Sequence, residues 1–335
     1  MDVARPSRVA SVFFNLFLGA ALAAAPAGCG SSGGGTGSCA TSPSLDASAP
    51  LHGQCSLATH VGQFTLALNE ADAYSEFGGA VYDAVNPSSL WVTQMTVGSC
   101  RVQTGLSNCS PVCAASQICG LDGQCHAMRT SQSVGDVTLS GVGCPRTESY
   151  KGAATGYLED IHTPYPPAAA GAPLAISAAG GAYSAFTLHA EGVEPLVFDG
   201  SSLSLISGQD LTVTWTQPAQ VGEGQIQIVI DAAHHGGTAA QLECDGVADT
   251  GSITIDGSLI AYLISKGTAG FPQITVARLT ADSTTIAPGC VDFTVLSSVT
   301  SPIAVCTSAG SCVVSCNSNA DCTAPATCQT DLTCK

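Results

Sequence analysis

One cysteine spacing occurs twice in this 335-residue chain. Cys109-x3-Cys113-x5-Cys119-x5-Cys125 returns near the C-terminus as Cys312-x3-Cys316-x5-Cys322-x5-Cys328, there flanked by Cys306 and Cys334. Segments this short, with few large apolar residues, bury too little area to fold alone and need covalent staples. Zinc and iron–sulfur sites favour C-x2-C pairs or Cys/His mixtures, and the chain has no C-x2-C anywhere. His126 beside Cys125 does not complete a ligand set. Both repeats therefore read as disulfide modules, which calls for an oxidising compartment.

The N-terminus supplies a route to one. Arg5 and Arg8 form a short basic start, and Val9 to Ala25 follow as an apolar run broken only by Ser11 and Asn15. That run is shorter than the ~20 residues that cross a bilayer, and it ends in small residues. Residues 1–28 thus read as a signal peptide. Ala25-Pro26-Ala27-Gly28-Cys29 resembles the lipobox of bacterial lipoproteins, which implies a diacylated Cys29 as the new N-terminus. Pro26 stands where that family usually has Leu; the alternative is ordinary cleavage after Ala27. Of 17 cysteines, lipidation of Cys29 leaves 16, an even number that can all pair. Gly30 to Gly37 reads GSSGGGTG, a flexible spacer, so residues 29–54 are expected to be lipid anchor and linker.

Charge and composition narrow the partners and the fold. Removing Asp2, Arg5 and Arg8 with the leader leaves 7 of 9 Lys/Arg against 24 of 25 Asp/Glu. Such a surface repels a phosphate backbone, so no nucleic acid is expected. The expected partners are the membrane, through the anchor, and an unknown surface protein or glycan; no cofactor is expected. Only 10% of residues are charged, while Gly, Ala, Ser, Thr and Val abound, which suits short strands and turns.

Strand signals recur along the chain. Residues 63–68, 79–84, 90–97 and 136–141 are β-prone runs, interrupted by the cysteine-dense insert at 100–125. A Pro/Ala/Gly-rich stretch from Thr163 to Pro173 reads as a linker or long crossing loop. Beyond it, short strands are expected at 186–191, 195–198, 203–206, 211–217, 225–230, 241–244, 251–255, 273–279 and 291–295. Leu211, Val213 and Trp215 alternate with polar residues, as do Ile226, Ile228 and Ile230, which is the period of a half-buried strand. Trp215 reads as core. Residues 258–266 alone read as a short helix. The expected fold is mainly β: an antiparallel β-sandwich of immunoglobulin/fibronectin-like architecture with small disulfide-stapled modules. The expected divisions are an N-terminal β domain at 55–170, a C-terminal sandwich at 171–305 and a cysteine-rich module at 306–335. Cys244 and Cys290, the only cysteines inside the second block, are candidates to bridge it.

Catalytic signatures are scarce. His235-Gly236-Gly237 faintly echoes the oxyanion segment of esterases, but no nucleophile elbow accompanies it; a polar hairpin turn is the plainer reading. There is no H-E-x-x-H and no G-x-x-x-x-G-K. Glu159-Asp160 and Glu191 with Glu194 are nominal carboxylate pairs, read as solvated loop acids. Asp245, Asp249 and Asp256 offer oxygens to calcium but lack the D-x-D-x-D-G order. No catalytic residue and no metal ligand is assigned.

Several segments together look like uncharacterised cell-surface lipoproteins of myxobacteria and their relatives: GQFTLAL, GAVYDAVNP, SCRVQTGLSNCSPVC, SVGDVTLSGV, LTVTWT and LECDGVADTGSITI. That resemblance implies location and architecture and carries no catalytic residues. Likeness to small EGF-like and knottin-like folds implies first-to-third and second-to-fourth bridges in each module. These would be Cys109–Cys119 with Cys113–Cys125, and Cys312–Cys322 with Cys316–Cys328. The expected function is a non-enzymatic envelope lipoprotein, structural or ligand-binding. The alternative is a secreted polysaccharide-active hydrolase or carbohydrate-binding protein.

Overall fold

The computed structural model describes residues 45–335 except 47, 88–90, 106–108, 121, 160–161, 220–223, 236–239 and 307–310. The leader, Cys29 and the spacer lie outside the described residues. The strands begin with β1 (His60–Asn69), β2 (Tyr74–Tyr82), β3 (Val92–Val97), β4 (Cys100–Thr104), β5 (Gln117–Cys119), β6 (Cys125–Ala127) and β7 (Ser131–Gln132). Next come β8 (Val137–Ser140), β9 (Arg146–Glu148), β10 (Tyr157–Leu158), β11 (Thr163–Pro164), β12 (Pro173–Ala178), β13 (Phe186–Glu191) and β14 (Ser204–Ile206). The remainder are β15 (Leu211–Thr214), β16 (Gln225–Asp231), β17 (Ala240–Ala248), β18 (Ser252–Ile255), β19 (Gln273–Thr285), β20 (Cys290–Pro302) and β21 (Ala304–Cys306). The helix α1 (Gly257–Ser265) starts at Asp256, whose carboxylate accepts the Ser258 N–H as an N-cap.

A single large sheet, in the order β10-β2-β1-β20-β19-β16-β17-β4-β3, runs through the molecule. Its pairs are antiparallel except β1 with β20, which lie parallel with Phe64 beside Phe293. The parallel pair joins the first strand of the N-terminal block to the last long strand of the C-terminal one. The boundary expected near residue 170 therefore does not separate two sheets. The stretch expected as a linker is stitched in as well: Thr163 is fully buried, and β11 pairs with β2.

The apolar residues of this sheet fall on one face. Phe64 and Leu66 of β1 lie beside Phe293 and Val295 of β20, while Ile228 and Ile230 of β16 lie opposite Val276 and Ile274 of β19. Two cores grow on that face. The sheet β13-β12-β8-β9 covers the first, packing Leu139, Leu174, Ile176 and Leu188 against Phe64, Phe77 and Phe293. This is a sandwich of two sheets. Helix α1 and the ribbons β14–β21 and β15–β18 cover the second, bringing Leu205, Val213, Leu259 and Val305 onto Ile226, Ile228 and Leu242.

Between the cores the same face turns polar. Arg278, Thr280 and Asp282 follow on alternate positions of β19, with Ser297 of β20 opposite Arg278, and all four are buried. The chain crosses here at residues 191–197. Thr280 Oγ1 donates to Glu191 O, Ser297 Oγ accepts the Leu196 N–H, and Asp282 accepts the His189 N–H. Residues 195–198, expected as a strand, form no ladder: seam side chains take the Pro195 carbonyl and the Leu196 N–H, and the Thr216 N–H donates to Val197 O. Arg278 places Nε 2.5 Å from Asp249 Oδ2, and donates to the carbonyls of Glu194, Pro195 and Thr216. Asp249 also accepts the Trp215 Nε1–H at 2.6 Å, so Trp215 is core with its one polar atom satisfied.

The bridges correct part of the expected pairing. Cys244 bonds to Cys100, directly opposite it across β4 and β17, and Cys290 bonds to Cys55. A Cys244–Cys290 bridge is excluded by the sheet: β16 and β19 lie between their strands, roughly 14 Å at ~4.8 Å per strand, against a Cα reach of ~7 Å. Cys100 is thus a residue of the large sheet rather than of the insert. In the insert, Cys109–Cys119 and Cys113–Cys125 form around the β5–β6 hairpin. In the C-terminal module Cys316–Cys328 forms, but Cys312 joins Cys306 and Cys322 joins Cys334. Cys306 and Cys312 already face each other across a β-bridge, which leaves Cys322 for Cys334.

Arg278→Ala is expected to lower stability in urea by about 3–5 kcal/mol, because it leaves the Asp249 carboxylate buried without its partner. The double change Arg278→Met with Asp249→Leu should cost less than the single one. Peptide mapping without reduction should recover Cys55–Cys290 and Cys100–Cys244; a Cys244–Cys290 peptide would contradict this architecture.

Candidate functional site

The polar face of the sheet carries a cleft of about 1280 Å³. Its position follows from a mismatch in strand length. β16 begins at Gln225, opposite Leu279, so β19 continues past Leu279 without β16 beside it. Among the described residues, the Gly53 N–H donates to Ala281 O on that side of β19. Leu51 and residues 53–57 wall one side of the resulting notch; Gln217, Pro218 and residues 224–225 wall the other. The segment expected as linker up to residue 54 is therefore docked at its end, with His52 Nδ1 2.6 Å from Asp282 Oδ1.

One end of the cleft is an ordered polar network on β4, β16 and β17. Glu243 is buried and pairs with Arg101 Nη2 at 2.8 Å, while its second oxygen accepts from Gln227 Nε2 at 3.1 Å. Gln103 and Gln241 adjoin it, and in its network-consistent amide orientation Gln103 donates to Glu243 and accepts from Arg101 Nε. Asp245 stands 3.7 Å from the same guanidinium. Burial pushes the Glu243 carboxyl above the ordinary range; Arg101 opposes that shift and Asp245 adds to it. At the other end His60 lies 3.5 Å from the buried Asp292, which also accepts the Cys55 N–H. Gln63 and Gln225 line the cleft between these ends with no side-chain hydrogen-bond partner among the described residues.

The acids singled out from the sequence separate. Asp245 borders the cleft beside Arg101, Asp249 is buried on Arg278, and Asp256 caps α1, so they do not converge on one cation. Glu159 is not a solvated loop acid: its side chain is 1% exposed and holds the Thr163 hydroxyl at 2.9 Å. Asp160 lies outside the described residues. Glu191 and Glu194 both line the cleft, and Glu194 accepts the Ala219 N–H. His234 is in a turn after β16, 3.2 Å from Asp231; Gly236 and Gly237 lie outside the described residues. The sulfurs of Cys109, Cys113 and Cys119 cluster, as do those of Cys316, Cys322 and Cys334, but each is in a disulfide and offers no thiolate.

Sequence reasoning missed Arg101, Gln227 and Glu243. The available signal was the polar half of the alternation: Gln225 and Gln227 between isoleucines, and Glu243 between Leu242 and Cys244. No family model matches the chain, and no curated protein matches it.

Glu243 should titrate above an ordinary glutamate by carboxyl NMR. With its folded pKa above the unfolded one, the folded chain binds this proton first as pH falls. The group therefore adds stability as pH drops from neutrality through its raised pKa, and the gain levels off below the unfolded value. A Glu243 titration at or below the ordinary range would contradict the burial argument.

Proposed function

We propose that this chain is an exported, non-enzymatic envelope lipoprotein, tethered through a diacylated Cys29, that holds a polar ligand in the cleft of its large sheet. The observation that carries the ligand-binding part is the ordered network of Arg101, Gln227 and Glu243 in a cleft also lined by Gln63 and Gln225, whose side chains have no hydrogen-bond partner among the described residues. Fixed donors and acceptors on strands give orientation without the ordering cost of a loop site. Export is supported by seven bridges among the described residues, a load that reducing compartments do not sustain. Cysteine arithmetic supports the anchor. Cys144 is also disulfide-bonded, with its partner outside the described residues, where the sequence offers Cys29 and Cys39. A Cys39–Cys144 bridge leaves Cys29 alone for acylation.

The raised pKa of Glu243 favours one second reading, a secreted hydrolase using it as general acid. Arg101, bound to Glu243 and close to Asp245, works against it by holding the carboxylate charged.

Intact mass of the protein from host membranes, before and after reduction, tests the assignment. The expected result is a diacylated Cys29 and no free thiol, with Cys29→Ser moving the protein to the soluble fraction. A Cys29–Cys144 peptide, or a chain starting near Gly28 without lipid, would overturn the anchor.

A further inference from the structure

We propose that the cleft takes an aliphatic ligand carrying two or more primary ammonium groups, as a linear polyamine or as the lysine side chains of a basic peptide; the inference rests on the ligand-binding reading above and names its chemical class.

The charge of the lining is the first argument. Carboxylates of Glu191, Glu194, Glu243, Asp245, Asp249 and Asp292 line the cleft, against Arg101, Arg278 and His60. Both arginines are already engaged. Arg278 commits its guanidinium to Asp249 and to the carbonyls of Glu194, Pro195 and Thr216, and Arg101 is bound to Glu243 with Asp245 close by. Setting each arginine and a protonated His60 against one ionised carboxylate still leaves three negative charges. Charges of one sign on the walls of a concave site focus their field, which draws cations in and turns anions away.

A buried carboxylate oxygen without a hydrogen bond is the second and independent observation. The Asp292 side chain is 5% exposed; Oδ2 accepts the Cys55 N–H, but Oδ1 makes no hydrogen bond among the described residues. His60 Nε2 lies 3.5 Å from that oxygen and is likewise without a hydrogen bond. Thr294, two residues further along β20 and on the same face, has an unbonded Oγ1. Gln63 stands beside Asp292 in the β1–β20 pairing and also lines the cleft. Leaving such acceptors buried and unmet is costly. A primary ammonium brings a positive charge and three donors on one atom, enough for Asp292 Oδ1, a neutral His60 ring nitrogen and the Gln63 carbonyl.

Spacing and surface define the rest of the ligand. Along β19, Ser283 opposite Asp292 and Ala277 opposite Gln227 are six residues apart, about 20 Å at ~3.3 Å per residue. Glu243, bonded to Gln227, marks the far end, so one ammonium cannot serve both ends and a chain with several can. Leu279 and Ala281 line the cleft between them, an apolar strip for methylene segments. No aromatic ring occurs among the described lining residues, so a quaternary ammonium finds no ring face, and N–H donors are what these acceptors select.

Calorimetric titration of the full-length oxidised protein tests this with putrescine, spermidine, spermine, a lysine-rich peptide, a bis-quaternary ammonium compound, calcium and a neutral oligosaccharide. The expected result is saturable binding of the polyamines, tightening with chain length, or of the lysine peptide; the tighter of the two assigns the source. Binding should be about tenfold tighter than for the bis-quaternary compound and weaken severalfold from low to physiological salt. Asp292→Asn, which keeps an acceptor for the Cys55 N–H, should weaken it roughly tenfold with unchanged melting temperature. Asp245→Asn, at a half-exposed position of the far end, should weaken the longer ligands more than putrescine and serves as the test if the first variant fails to fold. Equal binding of the bis-quaternary compound and the polyamines, unaltered by either variant, would overturn the assignment. Binding of calcium or of the neutral oligosaccharide in place of the amines would overturn the ammonium class and leave the cleft as a ligand site. Binding of none of the probes would overturn both.

Discussion

The two cores are joined through one buried cation. Arg278 sits on β19, the strand shared by both halves, on the face that elsewhere carries Phe, Val and Ile. Both covering layers meet above it, and where they meet the chain must pass between them at residues 191–197. That crossing strand of backbone cannot pair with the sheet below, whose own hydrogen bonds are used along its plane. Its carbonyls need donors from a side chain, and a guanidinium is the side chain with enough of them in a fixed plane. Arg278 serves Glu194, Pro195 and Thr216 with the donors that Asp249 leaves, and Asp249 passes the constraint on to Trp215. The polar seam is thus a consequence of mounting two cores on one sheet face.

Covalent staples complement this seam at places the cores do not reach. Cys55–Cys290 ties the incoming chain to the start of β20, across a separation of 235 residues, and Cys100–Cys244 ties β4 to β17 across 144. On the chain-entropy model each contributes about 5 kcal/mol, because closing a long loop restricts the unfolded ensemble most. Five bridges span only 6 to 12 residues and serve the modules, which otherwise have almost no buried apolar surface. The C-terminal module is not free of the body: the Gly270 N–H donates to Asp331 O at 2.7 Å.

Local patterns in the sequence carry much of this architecture. Period-two alternation locates β15 and β16, β-prone runs bounded by turn residues locate β1 and β13, and Leu211 and Val213 fall on the buried face, as their spacing implies. The helix at α1 is legible from its apolar run behind Asp256. Long-range order is not legible. Nothing in residues 60–69 says that β1 will lie parallel to β20, more than 200 residues later, and the Cys100–Cys244 pairing depends on that global sheet order. The repeat in cysteine spacing misleads for a related reason. Cys316–Cys328 matches Cys113–Cys125, but Cys322 finds Cys334 because a β-bridge has already joined Cys306 to Cys312. Glu159 is hidden for the opposite reason: it reads as a loop acid, yet Thr163 and the packing on β2 bury it.

The cleft belongs with these nonlocal features. It exists because β16 stops short of the length of β19, and no property of either strand alone announces that difference. A sheet that exposes a free edge at its centre is open to adventitious pairing. Here, among the described residues, Gly53 closes part of the edge at Ala281, and the cleft lies alongside. Extending β16 by a few residues along β19 would be the simpler solution for stability. Instead the adjacent residues are Gln63, Gln225, Gln227 and Glu243, polar groups set on rigid strands where an aliphatic pair would pack more tightly. The frame sets these polar groups around the gap on strands held rigid by the Arg278 seam and the bridges, and that preorganisation is the feature on which the proposed ligand-binding role rests.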